Sequence, residues 1–341
     1  MKRLQQPQII PSNQNLLYGI LNKKNISKFL SKAKSHEEIK IVYFGTPKFS
    51  AYILEKLIEF CDSGTNFGLH LKGVTGSLPK LYSIQAVVTS PDKPVGRKQV
   101  VSSSPVSVVA QKYNIPILKP DRLDEEFIKS SESYLECDLF VVVSYGQILP
   151  KAILDIPQLG AINVHASLLP KYRGASPIQQ AILNGDKETG VTIILMDEQL
   201  DHGPILYTKK ISLSEQDTFE TLSTKTMHVG AELLIENLPK FVERRIRPVR
   251  QTHAMASFCQ RLTRDSGYFD INIPPSPEKL DRMIRAYYPW PGVWTKWKGK
   301  IVKFLPGDML QMEGKKAISL KDFLNGYPDF PLKENLFEIS R

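Results

Sequence analysis

"IKIVYFGTPKFSAYILEKLIEF" (39–60) holds two periodicities joined by a turn. Its first part, "IKIVYFGTP", is a β-rich apolar run closed by Gly45, Thr46 and Pro47, which reads as a buried strand and its exit turn. The second part sets Ala51, Leu54, Leu57 and Ile58 at helical spacing. The same unit returns downstream. "SIQAVVTS" (83–90) predicts a second strand, "SPVSVVAQKY" (104–113) a helix, and "CDLFVVVSYG" (137–146) a third strand. "ETGVTIILMD" (188–197) supplies another strand, and residues 217–242 a long helix with Asp217 near its N-cap. Apolar strands alternating with helices predict an α/β domain with a largely parallel sheet. In such a sheet, ligands gather at the carboxyl ends of the strands.

The texture changes after "ERRIRPVRQTH" (243–253), where segments shorten and Pro and aromatic residues increase. "YYPWPGVWTKWKGKIVKF" alternates bulky and basic residues as a hairpin does. A linker is expected near 243–257, followed by a small β-rich domain. The expected division is a basic extension at 1–38, a catalytic domain at 39–245 and a C-terminal domain at 255–341. The Gly-rich stretch 61–82 is expected to be an inserted surface loop.

Composition removes several classes of function. Among 341 residues, 42% are apolar and 23% charged, as in ordinary globular proteins. No apolar run approaches the roughly 18–20 residues of a membrane-spanning helix. Cys61, Cys137 and Cys259 lie far apart, so neither a zinc site nor a disulfide framework is expected, and no metal. The net charge of +10 is uneven. Residues 1–40 hold eight Lys/Arg against two acids, residues 41–240 hold 19 against 22, and residues 241–341 hold 18 against 11. Basic ends around a near-neutral middle suit catalysis in the centre and a polyanion at the edges, although such charge also serves solubility.

"AINVHASLLPKYRGASP" (161–177) runs from a strand directly into polar chemistry. Asn163 and His165 are two apart and share a face of an extended chain. An amide and an imidazole side by side can both donate to an oxygen gaining negative charge. A carboxylate in "DEQLDHGPIL" (197–206) could hold the imidazole's tautomer. That set suits acyl transfer from an amide-like donor to an amine. From the residues alone, Asp197 and Asp201 are equal candidates, and Arg173 could be a surface ion pair. Neither a dinucleotide fingerprint, a P-loop nor a GxSxG elbow is present.

"INVHASLLPKYRGASPIQQAILNGDKETGVTI" (162–193), followed by "LDHGP" (200–204), closely resembles the signature of the folate-dependent formyltransferases. The resemblance implies a Rossmann-like formyltransferase domain with a parallel-rich sheet, plus a small C-terminal β-rich, OB-like domain. It implies Asn163, His165 and Asp201 as catalytic residues and 10-formyltetrahydrofolate as formyl donor. The donor site would include Ser167, Leu168, Leu169 and Pro170, with Tyr145, Gly146 and Ile148 of "YGQILP" (145–150) adding contacts to the pterin. Gly174 is expected to allow a close backbone approach.

"SPDKPVGRKQVVSSSPV" (90–106) resembles the tRNA-contacting insertion of the family branch that formylates methionyl initiator tRNA. That likeness implies Lys93, Arg97 and Lys98 as tRNA contacts, with Lys315 and Lys316 from the C-terminal domain. Two alternatives are a formyltransferase for a small amine, such as a nucleotide sugar or glycinamide ribonucleotide, and an RNA-binding protein on a decayed fold. A monomer in a bacterial cytoplasm is expected, without membrane association. The acid-poor residues 1–38 also resemble a mitochondrial presequence, which would place the protein in the matrix.

Two departures from the family pattern carry expectations. Only about eight residues separate the hairpin at 293–305 from "GKKAISLKDFL" (314–324), so barrel closure is in question. The Asp loop reads "LDHGP" where many tRNA-formylating members have Thr-Gly-Asp, so His202 and Pro204 bring it closer to the glycinamide enzymes; His202 could be a second titrating group or a solvated loop residue. Because Asn163, His165 and Asp201 all precede the linker, their chemistry is expected not to require the C-terminal module.

Overall fold

The protein is described from a computed structural model covering residues 38–63, 81–95 and 99–332. Its centre is a seven-stranded sheet built from β1 (Ile39–Gly45), β2 (Tyr82–Val88), β5 (Ile117–Leu118), β6 (Leu139–Val143), β7 (Ala161–His165), β9 (Glu188–Leu195) and β10 (Ile205–Ser212). The small strands β3 (Lys93–Val95) and β4 (Val100–Ser102) pair as a separate hairpin, and β8 (Arg173–Gly174) lies apart from the main sheet. The strand order is β10-β9-β7-β6-β1-β2-β5. The strands from β7 to β5 are mutually parallel, whereas β9 runs antiparallel to β7 and β10 antiparallel to β9. The expected parallel-rich sheet is present, with an antiparallel edge.

Alternation along each strand divides the core into two layers. On β1, Ile41 and Tyr43 face one layer, while Val42 and Phe44 face the other. The first layer is covered by the helices Lys48–Asp62, Pro105–Lys112 and Phe219–Val242. The second packs beneath Glu125–Ser130, Glu132–Leu135 and Lys151–Leu154. Both faces of β6 are fully covered, which is why "LFVVV" shows no polar alternation.

Local boundaries follow from capping. Asp217 lies next to the N-cap of the long helix, which is Thr218: its side chain accepts the Thr221 N–H, while the Thr221 hydroxyl accepts the Thr218 N–H. Asp217 itself accepts Lys225 Nζ at 2.8 Å with both oxygens. The stretch expected as a loop over 61–82 is shorter at both ends, since the first helix runs to Asp62 and β2 begins at Tyr82. Its residues 64–80 lie outside the described residues, as do those of the extension up to residue 37.

The helix Pro277–Tyr287 precedes the C-terminal sheet and packs with Pro177–Leu183. That sheet consists of β12 (Val293–Trp297), β13 (Lys300–Leu305), β14 (Met309–Met312) and β15 (Ile318–Ser319), preceded in the chain by the short β11 (Phe258–Cys259). The expected hairpin is β12–β13, and "YYPW" instead ends the preceding helix and leads into it. The order β12-β13-β14-β15 is a meander, so the described residues show an open sheet rather than a closed barrel. The short return between Leu305 and Ile318 leaves room for a single four-residue strand, and the helix Leu320–Gly326 covers the face with Phe323.

Candidate active site

The end of β7 places Asn163 and His165 beside the loop before β10. Asn163 Nδ2 donates to Asp201 Oδ1 at 3.1 Å. The backbone N–H of Gly174 donates to Asp201 Oδ2 at 2.8 Å. His165 Nδ1 lies 3.6 Å from the same oxygen, within ion-pair reach but beyond a hydrogen bond. His165 Nε2 donates to the Tyr172 carbonyl at 2.9 Å. Oxygens thus stand opposite both ring nitrogens, which fixes the orientation of the imidazole. Both side chains are largely buried, at 7% and 10% exposure. The three residues singled out as catalytic are therefore brought together.

Asp197, the competing carboxylate, is used elsewhere. Its Oδ2 pairs with His202 Nδ1 at 2.6 Å, and its Oδ1 accepts the Gln199 N–H. His202 is not a free loop residue, because its ring also stacks on His253 at 4.0 Å and 4°. Arg173 is not a surface ion pair. It is buried, and its Nε and Nη2 donate to Gln251 Oε1 at 3.2 and 2.7 Å. Nη2 also reaches His253 Nδ1 at 2.8 Å. Burial pushes the Arg173 guanidinium down from its ordinary value, opposed by the charges of Asp201 and Asp197. Desolvation lowers the His253 pKa first, with His202 and Arg173 adding to it, consistent with a ring that accepts from Arg173.

The loop after β7 is fixed from within. Thr192 on β9 sits opposite His165, donates to the Ser167 carbonyl at 2.7 Å and accepts the Leu169 N–H at 3.1 Å. Ser167 is fully buried and donates to the Lys171 carbonyl at 2.6 Å, so its hydroxyl shapes the loop. Leu169 is buried, while Leu168 and Pro170 are half-buried. On the neighbouring strand end, Tyr145 packs edge-on to Phe44, and Gly146 has open space where a side chain would begin. Ile148 is 74% exposed. The close approach expected at Gly174 is real, but its neighbour is protein. A Cβ there would lie 2.1 Å from the Cys259 carbonyl oxygen, and its φ is +119°.

Three non-glycine residues at this edge, Ser144, Tyr172 and Asp201, have left-handed backbone. Such conformations cost of order 1–3 kcal/mol each and persist where surrounding bonds impose them. For Asp201 these bonds include one that the sequence did not signal. Gln251 Nε2 donates to the carbonyls of Asp201 and Gly203 at 2.9 and 2.7 Å. The stretch expected as a linker is thus built into the site. Val249 pairs with Ile205, the Ser257 hydroxyl accepts the Tyr172 N–H, and β11 runs beside β8.

Of the residues expected on tRNA, Lys93 stands exposed on the β3–β4 hairpin, while Arg97 and Lys98 lie outside the described residues. Lys315 and Lys316 are exposed on the turn after β14, far in the chain from the site.

An α/β sheet with Asn163 and His165 at the end of β7, Asp201 in the β9–β10 loop and a trailing antiparallel module is the arrangement that the formyltransferase resemblance implied. The chain belongs to the formyl transferase family: the model described as "Formyl transferase" matches residues 55–238, and "Formyl transferase, C-terminal domain" matches 270–309. Methionyl-tRNA formyltransferase of Halalkalibacterium halodurans is 39% identical over 82% of this chain and 81% of its own length. The protein of that name from Dictyoglomus turgidum is 38% identical over 85% of this chain and 96% of its own. Among solved structures, a sugar N-formyltransferase from a Shewanella species superposes with a TM-score of 0.58, at 17% identity over 82% of this chain and 99% of its own. At that identity the likeness concerns the fold.

Proposed function

We propose that this enzyme transfers the formyl group of 10-formyltetrahydrofolate to the α-amine of methionyl initiator tRNA, giving formylmethionyl-tRNA for translation initiation. The observation that carries this proposal is the match to methionyl-tRNA formyltransferases at 37–40% identity over 79–85% of the chain. That match reaches beyond the catalytic half, as does the C-terminal family model.

The donor is a substrate, and the chain's groups fit it. Gly146, with open space where a side chain would begin, and the exposed Ile148 follow β6 and support placing the donor's flat ring there. The loop Ser167–Pro170 forms the adjoining wall. In the proposed mechanism, Asn163 Nδ2 and protonated His165 donate to the formyl oxygen as the amine adds to the formyl carbon. Asp201 orients His165 and takes part in moving the amine proton, by way of water, to N10 of the donor, so that the formyl C–N10 bond breaks, the carbonyl re-forms and tetrahydrofolate leaves. Low exposure of the His165–Asp201 pair strengthens each of these interactions over its value in water.

The proposed division is a basic extension at 1–38, a catalytic domain over 39–245 whose site wall is completed by residues 249–260, and a tRNA-binding domain over 255–341. Lys93, Arg97, Lys98, Lys315 and Lys316 are the proposed tRNA contacts, acting on phosphates rather than bases. A monomer in the bacterial cytoplasm fits this role. Among the described residues, no helix is long and apolar enough to cross a membrane.

The test is formyl transfer to charged initiator tRNA beside transfer to nucleotide sugars and glycinamide ribonucleotide. Preference for the tRNA by kcat/KM is expected, and preference for either small amine would overturn the proposal.

A further inference from the structure

We infer that Gln251 is a positioning residue for catalysis, holding the Asp201 loop in the geometry that His165 requires. The inference rests on Asp201 acting as proposed above.

The side chain is buried, and every hydrogen-bonding position on it is occupied. Oε1 accepts Arg173 Nε and Nη2, and Nε2 donates to the Asp201 and Gly203 carbonyls. The orientation of the amide follows from its partners. A guanidinium only donates and a carbonyl only accepts, so the opposite flip would oppose like groups on both sides.

Those partners are the two ends of the catalytic constellation. Arg173 directly precedes Gly174, whose N–H holds Asp201 Oδ2. Asp201 itself has φ of +47°, a left-handed conformation that is uncommon for a non-glycine residue, although Asp adopts it more readily than most. One amide therefore ties the backbone of the carboxylate to the strand that grips the carboxylate's side chain. Gln251 reaches this place because Val249 is paired to Ile205 by two 2.8 Å backbone bonds, immediately after the loop. Gly203 completes the lock, since a Cβ on it would lie 1.9 Å from the Leu195 carbonyl oxygen.

Two substitutions separate position from stability. Gln251→Met keeps the length and removes every polar contact. Gln251→Glu keeps the acceptor toward Arg173 but withdraws both donors and sets a carboxylate oxygen against two carbonyls. Both variants are expected to lose roughly 10- to 100-fold in kcat, the scale of small misplacements of reacting groups, with little change in KM for donor or tRNA. Gln251→Glu is expected to melt below the wild type, because two buried carbonyls lose their donor, yet to remain folded at the assay temperature. Wild-type kcat in Gln251→Glu would overturn the proposal, as would a rise in KM with kcat intact. Failure of Gln251→Glu to fold would also overturn it, by assigning the residue to stability. If Gln251→Met does not fold, Gln251→Glu decides alone. Hydrolysis of 10-formyltetrahydrofolate without acceptor is measured in parallel. A wild type that hydrolyses the donor yet formylates no tRNA refutes the proposed acceptor, while the kcat of Gln251→Glu for hydrolysis still tests the positioning role.

Discussion

Gly174 donates its backbone N–H to Asp201 Oδ2 at 2.8 Å, so the carboxylate is gripped by main chain before any substrate arrives. Asn163 Nδ2 takes the other oxygen. Two donors thus flank two acceptors. In Asp201→Asn an amide N–H₂ either opposes one of them or turns the Asn163 amide so that its donor no longer faces the site, and the negative charge beside His165 disappears. One buried donor left unsatisfied costs about 1–3 kcal/mol. A lower denaturation midpoint and a single-turnover rate reduced by roughly 100-fold or more are expected. A variant that keeps the wild-type rate would remove Asp201 from the proton path.

His165→Ala removes one donor to the developing oxyanion. Turnover should fall by roughly 100- to 1,000-fold, the usual scale for such a donor. Donor affinity, measured by equilibrium binding, should hold, because the walls at Gly146–Ile148 and Ser167–Pro170 keep their own supports in Thr192 and Phe44. Wild-type-like turnover would count against the imidazole as a catalytic group.

Lys315 and Lys316 are exposed, and apart from Lys315 lying over the Tyr327 ring at 5.7 Å they touch no site chemistry, so neutralising both tests nucleic-acid binding against a fold checked by its melting point. For every phosphate no longer neutralised, the slope of log affinity against log salt should fall by about 0.7–0.9, with donor hydrolysis unchanged. The same measurement on Lys93, Arg97 and Lys98 compares the insertion with the C-terminal sheet. A pair of slopes indistinguishable from wild type would place the tRNA elsewhere.

Asp217 offers a pH test of stability. Burial raises its pKa, but the bonds from Lys225, the Ser214 N–H and the Thr221 hydroxyl outweigh it, leaving the carboxyl below its ordinary value of 3.8. A depressed folded pKa means fewer protons bound in the folded state than in the unfolded state at acid pH. The stabilisation is therefore full above the unfolded value, about 3.9, and is lost as pH falls through the folded one. Urea melts should show Asp217→Asn clearly destabilised at pH 7, with the gap to wild type closing below about pH 4. A gap independent of pH would assign the effect to packing.

Much of the fold was legible because it is written in local periodicity. Ile41, Tyr43, Val141 and Val143 lie on strands covered on both faces, and such strands leave continuous apolar runs. Asn163 and His165 were legible because two polar residues at strand spacing interrupt that pattern. Arg173 was ambiguous, since its burial depends on Gln251, 78 positions away in the chain. Gln251 itself carried no signal: a glutamine in a basic, Pro-containing stretch looks the same whether solvated or locked. The choice between Asp197 and Asp201 likewise depended on which of them His202 would occupy, and only three-dimensional neighbours decide that.

The pairing of β8 with β11 bears on how such a protein can be recombined. Gly174 lies against the Cys259 carbonyl too closely for any side chain, and Ser176 Oγ donates to the Gln260 carbonyl at 2.5 Å. The first part of the chain is therefore incomplete until residue 260 has been laid down. A junction chosen at the compositional break near 245 would cut through the active-site wall, whereas one placed after Gln260 leaves it whole. Exchange of C-terminal modules between relatives, in the laboratory or in descent, is free of clashes at the site only when the segment from Val249 to Gln260 travels with the catalytic half.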